Sequence, residues 1–351
     1  MSYRTLLVLT ACVGWLRSDL GAQQQYLRIQ TNRASTLKKE LSDAAAKGYR
    51  VRAGAGCCSM ILERITQPPD VYEYLFIDKA DHLIDYDSEK AKAFVQKQLI
   101  DAGSKGFRVV PQVIATLEVH NYGQVILMEK PPGPVQPWEY KIGSPQSNCE
   151  DGFRAARIIW SGSDFRTNNP LGSPHGIVAL LERPVGRAAD AGHIQTQFVQ
   201  DEEILPVESK LGKLAPQGYR VIESADSELN LLLEKSPDVT ERFEYSVIGA
   251  AKSGEFEQEL NQAGESGYRL VPRAIGSYDK PIQKRIRIMG VQVDAFAVME
   301  RASGVQERFD YIVTSDPQKL PELARQGFEP VAMQDFGDKA GAVILERRRQ
   351  R

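Results

Sequence analysis

One short signature occurs six times along the chain: a glycine, an aromatic residue and, in five of the six copies, an arginine. An apolar run that ends in a glutamate and a cation follows each copy. The signatures are Gly48-Tyr49-Arg50, Gly106-Phe107-Arg108, Gly152-Phe153-Arg154, Gly218-Tyr219-Arg220, Gly267-Tyr268-Arg269 and Gly327-Phe328-Glu329. The Glu-cation ends are Glu63-Arg64, Glu129-Lys130, Glu182-Arg183, Glu234-Lys235, Glu300-Arg301 and Glu346-Arg347. This recurrence predicts that six copies of one small structural unit make up the chain.

The residues before each glycine predict a helix. A leucine stands seven residues before the glycine in five copies, and small residues often occupy positions three and four before it, as in Leu41, Ala44 and Ala45. Spacings of three, four and seven residues place side chains on one face of an α-helix. The glycine then ends the helix in the left-handed conformation. We expect the leucine face to pack on a sheet.

Strands are predicted on both sides of this helix. An alternating aromatic segment such as Tyr72-Glu73-Tyr74 precedes most copies, and alternation places both rings on one face of a strand. The aromatic residue after the glycine begins a second strand, and the apolar run forms a third. A unit of roughly forty to sixty residues buries little core by itself, so neighbouring units should share a core.

The spacing of the copies predicts a higher order as well. The glycines of copies one and four, two and five, and three and six are 170, 161 and 175 residues apart. We therefore predict an α+β fold of six tandem β-α-β-β repeats with antiparallel sheets, arranged as two pseudo-equivalent three-repeat halves. The predicted repeats are 23–66, 67–132, 133–185, 186–237, 238–303 and 304–351, the last with a basic tail.

Two repeats depart from the pattern. The third has Pro145 in place of the leucine and carries Cys149 nearby, so its helix is expected to be degenerate. The fourth has Pro216 within its last helical turn, where we expect the helix to fray, because proline donates no backbone hydrogen bond.

The repeated pattern, Leu-x-x-[Leu/Ala]-[Gly/Ala]-x-x-Gly followed by an aromatic residue and Arg or Glu, resembles that of a small bacterial family of unknown function. The family consists of β-α-β-β units of roughly fifty residues, often with tryptophan at the aromatic position. Residues 260–270, LNQAGESGYRL, resemble it most, and the resemblance covers about residues 25–348 in six pieces. It implies the fold of each unit and no activity.

The N-terminus predicts export. Residues 5–16 are apolar but too few to cross about 30 Å of hydrocarbon. Because Arg4 precedes them and small residues follow, we predict a signal peptide over residues 1–22, cleaved after Ala22, and a secreted or periplasmic protein. Lipid anchoring through Cys12, within a Leu-Thr-Ala-Cys sequence, is one alternative, and a buried strand or short membrane-associated anchor is another. No transmembrane segment is expected in the mature chain.

Three cysteines, Cys57, Cys58 and Cys149, follow the predicted signal peptide. In an oxidising compartment a disulfide of Cys149 with either Cys57 or Cys58 is expected, because adjacent cysteines bond to each other poorly. Three buried thiols are the alternative.

Reactive motifs are missing from the sequence. The four histidines are separated by 18 to 55 residues, and no Cys-x-x-Cys, His-Glu-x-x-His or Gly-x-Ser-x-Gly occurs. We therefore predict no catalytic residues, no metal and no cofactor, and interpret the chain as a non-enzyme. The formal charge of -2 argues against a nucleic-acid partner. The Glu-cation ends are expected at a solvated sheet edge, where ion pairs stabilise weakly.

Function is expected where the copies differ, in the hairpins between the second and third strands. Residues 277–294 carry a cationic strand face, and residues 161–175 form a polar loop. The candidate partner-binding residues are Tyr278, Lys280, Lys284, Arg285, Arg287, Asp164, Arg166 and His175. They indicate a non-catalytic binding or scaffolding protein of the bacterial cell envelope that contacts a protein or an anionic envelope polymer. The alternative is a hydrolase or ligand-processing enzyme whose site lies between the two halves.

Overall fold

The structure is a computed structural model that describes residues 25–31, 33–55, 59–65, 69–77, 89–117, 123–143, 152–159, 178–186, 194–201, 204–225, 229–237, 240–279 and 293–349. These residues form 18 strands and five α-helices. In chain order the strands make up six three-stranded sheets, called sheets 1 to 6. Sheet 1 contains β1 (Tyr26–Gln30), β2 (Tyr49–Ala55) and β3 (Ser59–Arg64); sheet 2, β4 (Glu73–Ile77), β5 (Arg108–Leu117) and β6 (Gly123–Lys130); sheet 3, β7 (Trp138–Gly143), β8 (Arg154–Ile159) and β9 (Val178–Pro184). Sheet 4 contains β10 (Gln195–Asp201), β11 (Arg220–Ala225) and β12 (Leu229–Lys235); sheet 5, β13 (Phe243–Ala250), β14 (Arg269–Asp279) and β15 (Val293–Ala302); sheet 6, β16 (Phe309–Thr314), β17 (Glu329–Gln334) and β18 (Ala342–Arg348).

Every sheet has the same strand order. The third strand is central and pairs antiparallel with the first and the second. The helices are α1 (Ala34–Ala45), α2 (Glu89–Ser104), α3 (Ile204–Leu214), α4 (Ser253–Glu265) and α5 (Leu320–Arg325). The prediction of an α+β fold with repeated antiparallel sheets is thus confirmed. Residues 144–151, where the degenerate helix of the third repeat was expected, lie outside the described part of the chain.

The glycines of the signature follow the helices in the expected conformation. Gly267 has a φ of 88°, and a Cβ atom there would lie 3.1 Å from the carbonyl oxygen of Glu307. In the fourth sheet, α3 stops at Leu214 and continues as a 3-10 turn through Pro216 to Gly218, whose φ is 92°. The expected fraying at Pro216 therefore takes the form of a tightened last turn.

The six second strands close into a ring. β2 contacts β5, β5 contacts β8, β8 contacts β11, β11 contacts β14, and β14 contacts β17, which returns to β2. The second strands of sheets 2 and 5, which lie on opposite sides of this ring, also contact each other. The first and last sheets in the chain are therefore neighbours, and the middle of the ring is narrow.

Each apolar cluster belongs to two neighbouring sheets. Leu41 of α1 packs with Leu127 of β6, for example, and both side chains are fully buried. The cluster that closes the ring combines Ile61 of β3 with Leu320 and Phe328 next to sheet 6. Since a single three-stranded unit cannot bury its own apolar face, the neighbour supplies the rest of the core.

The helices extend this packing to the next sheet along the chain. α1, α2, α3 and α4 contact β4, β7, β13 and β16, which are the outer edge strands of the following sheets. Asn261 of α4 forms two hydrogen bonds of 2.9 Å with the backbone N–H and C=O of Tyr311. Gln96 of α2 does the same for β7, through Tyr140 and Ile142. These side-chain amides bond backbone groups of the edge strands that would otherwise be free to pair with another strand.

All six second strands carry a bulge a few residues after the signature glycine. In four of them the register shifts around a single residue, as between Val51 and Ala53. In β5 and β14 four residues, 110–113 and 271–274, lie between the flanking pairs. The longer bulges belong to the two strands that meet across the ring, so they approach its centre.

The expectation that the Glu-cation ends form a solvated edge is wrong. Glu129, Glu182 and Glu346 are buried, with Glu182 only 2% exposed. They lie between neighbouring sheets, where the arginine of the preceding signature reaches them. None of the helices among the described residues is long and apolar enough to span a membrane.

Candidate functional site

Four of the six junctions between neighbouring sheets share one ion pair. The arginine of the signature in one sheet bonds the glutamate that ends the third strand of the next sheet. The pairs are Arg50 with Glu129, Arg108 with Glu182, Arg220 with Glu300 and Arg269 with Glu346, at 2.5 to 2.8 Å. The same four guanidinium groups lie over aromatic rings at the start of the first strand of the next sheet or one residue before it, at 4.5 to 5.7 Å. These rings are Tyr72, Trp138, Phe243 and Phe309.

A tyrosine completes each of these junctions. Its hydroxyl accepts a hydrogen bond from a backbone N–H of the preceding sheet, at 2.8 to 3.1 Å. The pairs are Val51 with Tyr74, Val109 with Tyr140, Val221 with Tyr245 and Leu270 with Tyr311. Tyr311 also donates to Glu346 at 2.9 Å. Burial and the neighbouring glutamate raise the pKa of Tyr311, so its hydroxyl remains protonated and able to donate.

In sheets 2 to 6 the remaining motif residues contact each other within one sheet. The cation that follows the glutamate lies over the aromatic ring of its own signature, at 4.4 to 5.8 Å. These pairs are Lys130 over Phe107, Arg183 over Phe153, Lys235 over Tyr219, Arg301 over Tyr268 and Arg347 over Phe328. The repeated residues thus serve assembly, and a functional site is to be sought where a junction departs from the pattern.

The junction between sheets 6 and 1 departs in one way. Glu329 replaces the arginine of the signature, and Pro330 has no N–H to donate. Arg52 of sheet 1 supplies the missing cation, at 3.0 Å from Glu63 and 3.8 Å from Glu329. Burial, together with Glu63 and Glu329, raises the pKa of Tyr26 to about 12. At this junction, Arg52 thus compensates for the loss of the signature arginine.

The junction between sheets 3 and 4 departs in another way. Thr196 stands opposite Glu234, where the regular junctions have tyrosine opposite glutamate. Arg154 bonds Glu182 of its own sheet at 3.2 Å. Because Arg108 bonds the same oxygen, Oε1 of Glu182, at 2.7 and 2.9 Å, two guanidinium groups share one carboxylate. Glu234 instead accepts a hydrogen bond from the backbone N–H of Ala155.

A cavity of about 360 Å³ opens at this junction and extends toward the centre of the ring. Sheets 2, 3, 4 and 5 all contribute to its wall. The lining residues are Arg108, Val109, Arg154, Ala155, Ala156, Glu182, Arg220, Val221, Ile222, Glu234, Ser236, Val271, Pro272, Arg273 and Glu300. Four guanidinium groups and three carboxylates thus face one space within the described part of the molecule. The phenol ring that fills the regular junctions is replaced here by the smaller Thr196.

Arg273 comes from the long bulge of β14 and has no counterpart in the regular junctions. Its Nη2 bonds Glu223 of sheet 4 at 2.7 Å and also donates to the carbonyl oxygen of Ala156 in sheet 3. Its Nε has no hydrogen-bond partner, and neither has Oε2 of Glu182, although both atoms are buried. Two residues of the cavity wall thus each contain a buried polar atom that has no partner among the described contacts.

Glu234 has a perturbed acidity. Burial raises its pKa above the ordinary value of 4.5, while the charges of Arg154 and Arg273 and the N–H of Ala155 oppose that rise. The carboxyl group thus gains a proton more readily than an exposed glutamate does. The cavity becomes more cationic when this proton is bound.

Of the partner-binding residues expected from the sequence, Tyr278 alone belongs to a described strand. Tyr278 lies near the end of β14, opposite Asp294 of β15. Lys280, Lys284, Arg285, Arg287, Asp164, Arg166 and His175 lie outside the described residues, as do Cys12, Cys57, Cys58, Cys149 and the predicted signal peptide. The hairpin site and the disulfide therefore stay predictions.

Sequence reasoning missed Arg273, Glu223 and the role of Glu234. A signal for Arg273 was present, since Val271-Pro272-Arg273 in the fifth copy matches Val110-Pro111-Gln112 in the second and differs only in its charge. No such signal existed for the meeting of Arg273 with Glu223 and Ala156, which depends on the ring.

Among the described residues, no group of three or more histidine, cysteine, aspartate or glutamate side chains could hold a metal ion. No known family model matches the chain, and no curated protein sequence is similar to it. The resemblance to the family of β-α-β-β units stays a prediction.

Proposed function

We propose that this protein is a non-catalytic binding protein whose ring of sheets holds a small anionic ligand in the central cavity. The observation that carries the proposal is the convergence of four guanidinium groups from four sheets on one space of about 360 Å³. Guanidinium groups recognise carboxylates and phosphates through paired hydrogen bonds. Pockets that hold small ligands begin at about 300 Å³.

The proposal includes the finer architecture. Six β-α-β-β repeats form two pseudo-equivalent halves, sheets 1–3 and sheets 4–6, and the cavity lies where the third sheet meets the fourth. Such a boundary supports a ligand site, because the junction of sheets 3 and 4 lacks the regular contacts while the neighbouring junctions retain them. The neighbouring sheets therefore hold the cavity residues rigidly in position.

We place this binding protein outside the cytoplasm, in the cell envelope or secreted. The support is the apolar segment 5–16 with a small-residue site ending at Ala22. N-terminal sequencing of the protein from its native cell fraction should read Gln23-Gln24-Gln25. A chain that keeps Met1, or one that is lipidated at Cys12, would contradict cleavage after Ala22.

A thermal-shift assay tests the binding proposal. Inorganic phosphate, acetate, D-glucuronate and D-glucose 6-phosphate are each titrated against sodium chloride at equal ionic strength. At least one of these anions should raise the Tm of the wild-type protein in a saturable way, because a ligand that binds only the folded state stabilises it. Arg273→Met should remove this shift.

Arg269→Met is the matched control. Arg269 has the same charge, lies four residues away on β14 and bonds Glu346 outside the cavity. Its variant should keep the anion-dependent shift, although its starting Tm is lower. If none of the anions raises the Tm, or if both variants lose the shift equally, the central cavity is not the binding site.

One observation favours a hydrolase as a second candidate. Glu182 and Glu234 both line the cavity, and burial raises the pKa of Glu234, as suits a proton donor. In that case Glu234→Gln should abolish turnover of a cavity-bound ester or glycoside while leaving its affinity within about threefold. Unchanged turnover in Glu234→Gln would eliminate this candidate.

A further inference from the structure

We propose that the ligand is a hydroxylated ring that carries one anionic group, as sugar acids and sugar phosphates do; this inference rests on the proposed function. The wall of the cavity is mixed in charge. A site for a bare inorganic anion needs only donors, whereas here Glu182, Glu234 and Glu300 face the same space as the arginines. Glu182 and Glu300 already accept from Arg108 and Arg220, and a carboxylate that also meets a ligand can only accept from it. The wall therefore favours a ligand that carries donors as well as a charge.

The two unsatisfied buried atoms match the two kinds of polar group in such a ligand, its anionic group and its hydroxyl groups. Nε of Arg273 lacks an acceptor, and a ligand carboxylate or phosphate oxygen supplies one. Oε2 of Glu182 has no partner within hydrogen-bond distance, although the Tyr140 hydroxyl lies beside that carboxylate, and a ligand hydroxyl supplies a donor. A buried polar atom left without a partner destabilises the protein, so a ligand that satisfies both atoms binds more tightly than one that satisfies neither.

The apolar part of the wall suits the faces of a saturated ring. Val109, Val221 and Val271 come from three different sheets, and Ile222 and Pro272 lie beside two of them. The C–H groups of a pyranose ring can pack on such side chains while its hydroxyls point to the carboxylates. A flexible apolar acid would leave Glu182 unsatisfied and is therefore a poorer fit.

The absence of a tyrosine at the junction of sheets 3 and 4 leaves space for the ring of the ligand. At the four regular junctions a phenol lies between the arginine of one sheet and the glutamate of the next, and its hydroxyl accepts the backbone N–H. At the junction of sheets 3 and 4, Thr196 has no ring, and the N–H of Ala155 turns to Glu234. A hydroxylated ring in the cavity would replace what the tyrosine provides elsewhere.

Isothermal titration calorimetry on the full mature protein tests this inference. D-glucuronate and D-glucose 6-phosphate carry a hydroxylated ring with a carboxylate and a phosphate, respectively. Acetate and inorganic phosphate carry the charge alone, and D-glucose carries the hydroxyls alone. One of the first two should bind at least about tenfold more tightly than all three controls, and the better of the two identifies the anionic group.

Variants locate the binding. Ile222→Trp should weaken it at least about tenfold by filling the cavity, and so should Arg273→Met; Ile222 is only half-buried, which keeps a folded variant available if Arg273→Met does not fold. Arg269→Met should bind as the wild type does.

The outcomes separate the two proposals. If acetate or inorganic phosphate binds as tightly as the hydroxylated anions, the ring and its hydroxyls are not recognised, and the inference fails while the anion site stands. If D-glucose binds as tightly as D-glucuronate, or if no compound binds, both proposals fail. Equal affinity of Ile222→Trp and wild type would place the ligand elsewhere and overturn the inference.

Discussion

At the scale of single residues, the residues of the repeated motif make contacts with a neighbouring sheet that the local sequence does not predict. Arg269 lies beside Glu346 of the next sheet, and Tyr311 lies between that glutamate and the backbone of β14. Tyr311 and Glu346 are buried, whereas Arg269 is exposed, so a partner lost by either buried group leaves a polar atom unsatisfied in the interior. The repeated aromatic and charged residues thus stabilise the contacts between neighbouring sheets.

Tyr311→Phe should lower the free energy of unfolding by about 1–3 kcal/mol, because the N–H of Leu270 and Oε2 of Glu346 both lose a partner in the interior. Urea denaturation followed by circular dichroism measures the change. Tyr268→Phe is the control, since its ring remains beneath Arg301. A loss as large in the control would show that aromatic hydroxyls matter in general and that the junction contact does not.

The affinity for an anionic ligand should fall as the pH rises through the pKa of Glu234. Below that pKa the carboxyl group is neutral; above it the negative charge repels the ligand. Burial raises this pKa above 4.5, so the fall begins above the range of an exposed glutamate. The charged groups that share the cavity with Glu234 are Arg108 and Arg154 from sheets 2 and 3, Arg220, Arg273, Glu182 and Glu300.

Calorimetric titration of the tightest-binding anion from about pH 4.5 to about pH 8 checks this dependence. Glu234→Gln should remove the part of the slope that Glu234 causes and keep high affinity at the upper end. If wild type and Glu234→Gln give parallel profiles, Glu234 is not the titrating group.

At the scale of elements, helix packing depends on one small residue. A Cβ atom on Gly264 of α4 would lie 2.3 Å from the carbonyl oxygen of Phe309, and one on Gly103 of α2 would lie 2.3 Å from that of Trp138. Each glycine stands three residues before the signature glycine of its copy. The small-residue position that indicated close packing on a sheet is therefore a close approach of the helix to the edge strand of the next sheet.

Gly264→Ala should destabilise the protein by about 1–3 kcal/mol, because backbone atoms of β16 have to move to admit the methyl group. Gly254→Ala in the same helix is the control, since nothing lies within 4 Å of its Cβ position. It should be neutral or stabilise by up to about 1 kcal/mol, because alanine favours helix more than glycine does. Thermal unfolding of both variants checks the prediction, and similar losses would contradict it.

At the scale of the whole molecule, closure of the ring is noncovalent. Sheet 1 is the first and sheet 6 the last sheet of the described residues, and these two sheets touch through β2 and β17 and share an apolar cluster. Removing either terminal sheet would expose apolar faces on both of its neighbours. A ring has no terminal repeat to cap, unlike an open array of repeats.

A circular permutant tests closure. A short flexible linker joins the end of β18 to the start of β1, and the chain is opened after Gly133, an exposed residue of the segment between sheets 2 and 3. Because the junction of sheets 6 and 1 already exists, the permutant should unfold in one cooperative transition with a Tm near that of the wild type. A permutant that does not fold would show that sheets 1 and 6 do not meet in solution, whereas deletion of residues 304–351 should abolish cooperative unfolding.

Within one unit, the sequence by itself predicted the α+β class and the repeated antiparallel sheets. Leucine and small-residue spacing located the helices, the glycines marked where they end, and alternation located the strands, because these patterns arise from local backbone geometry. Only the tertiary structure decided that six sheets close into a ring, that Arg108 and Arg154 share Glu182, and that Arg273 reaches sheets 3 and 4. These contacts join residues tens to more than a hundred positions apart, and their strength depends on burial and distance, which no local pattern encodes.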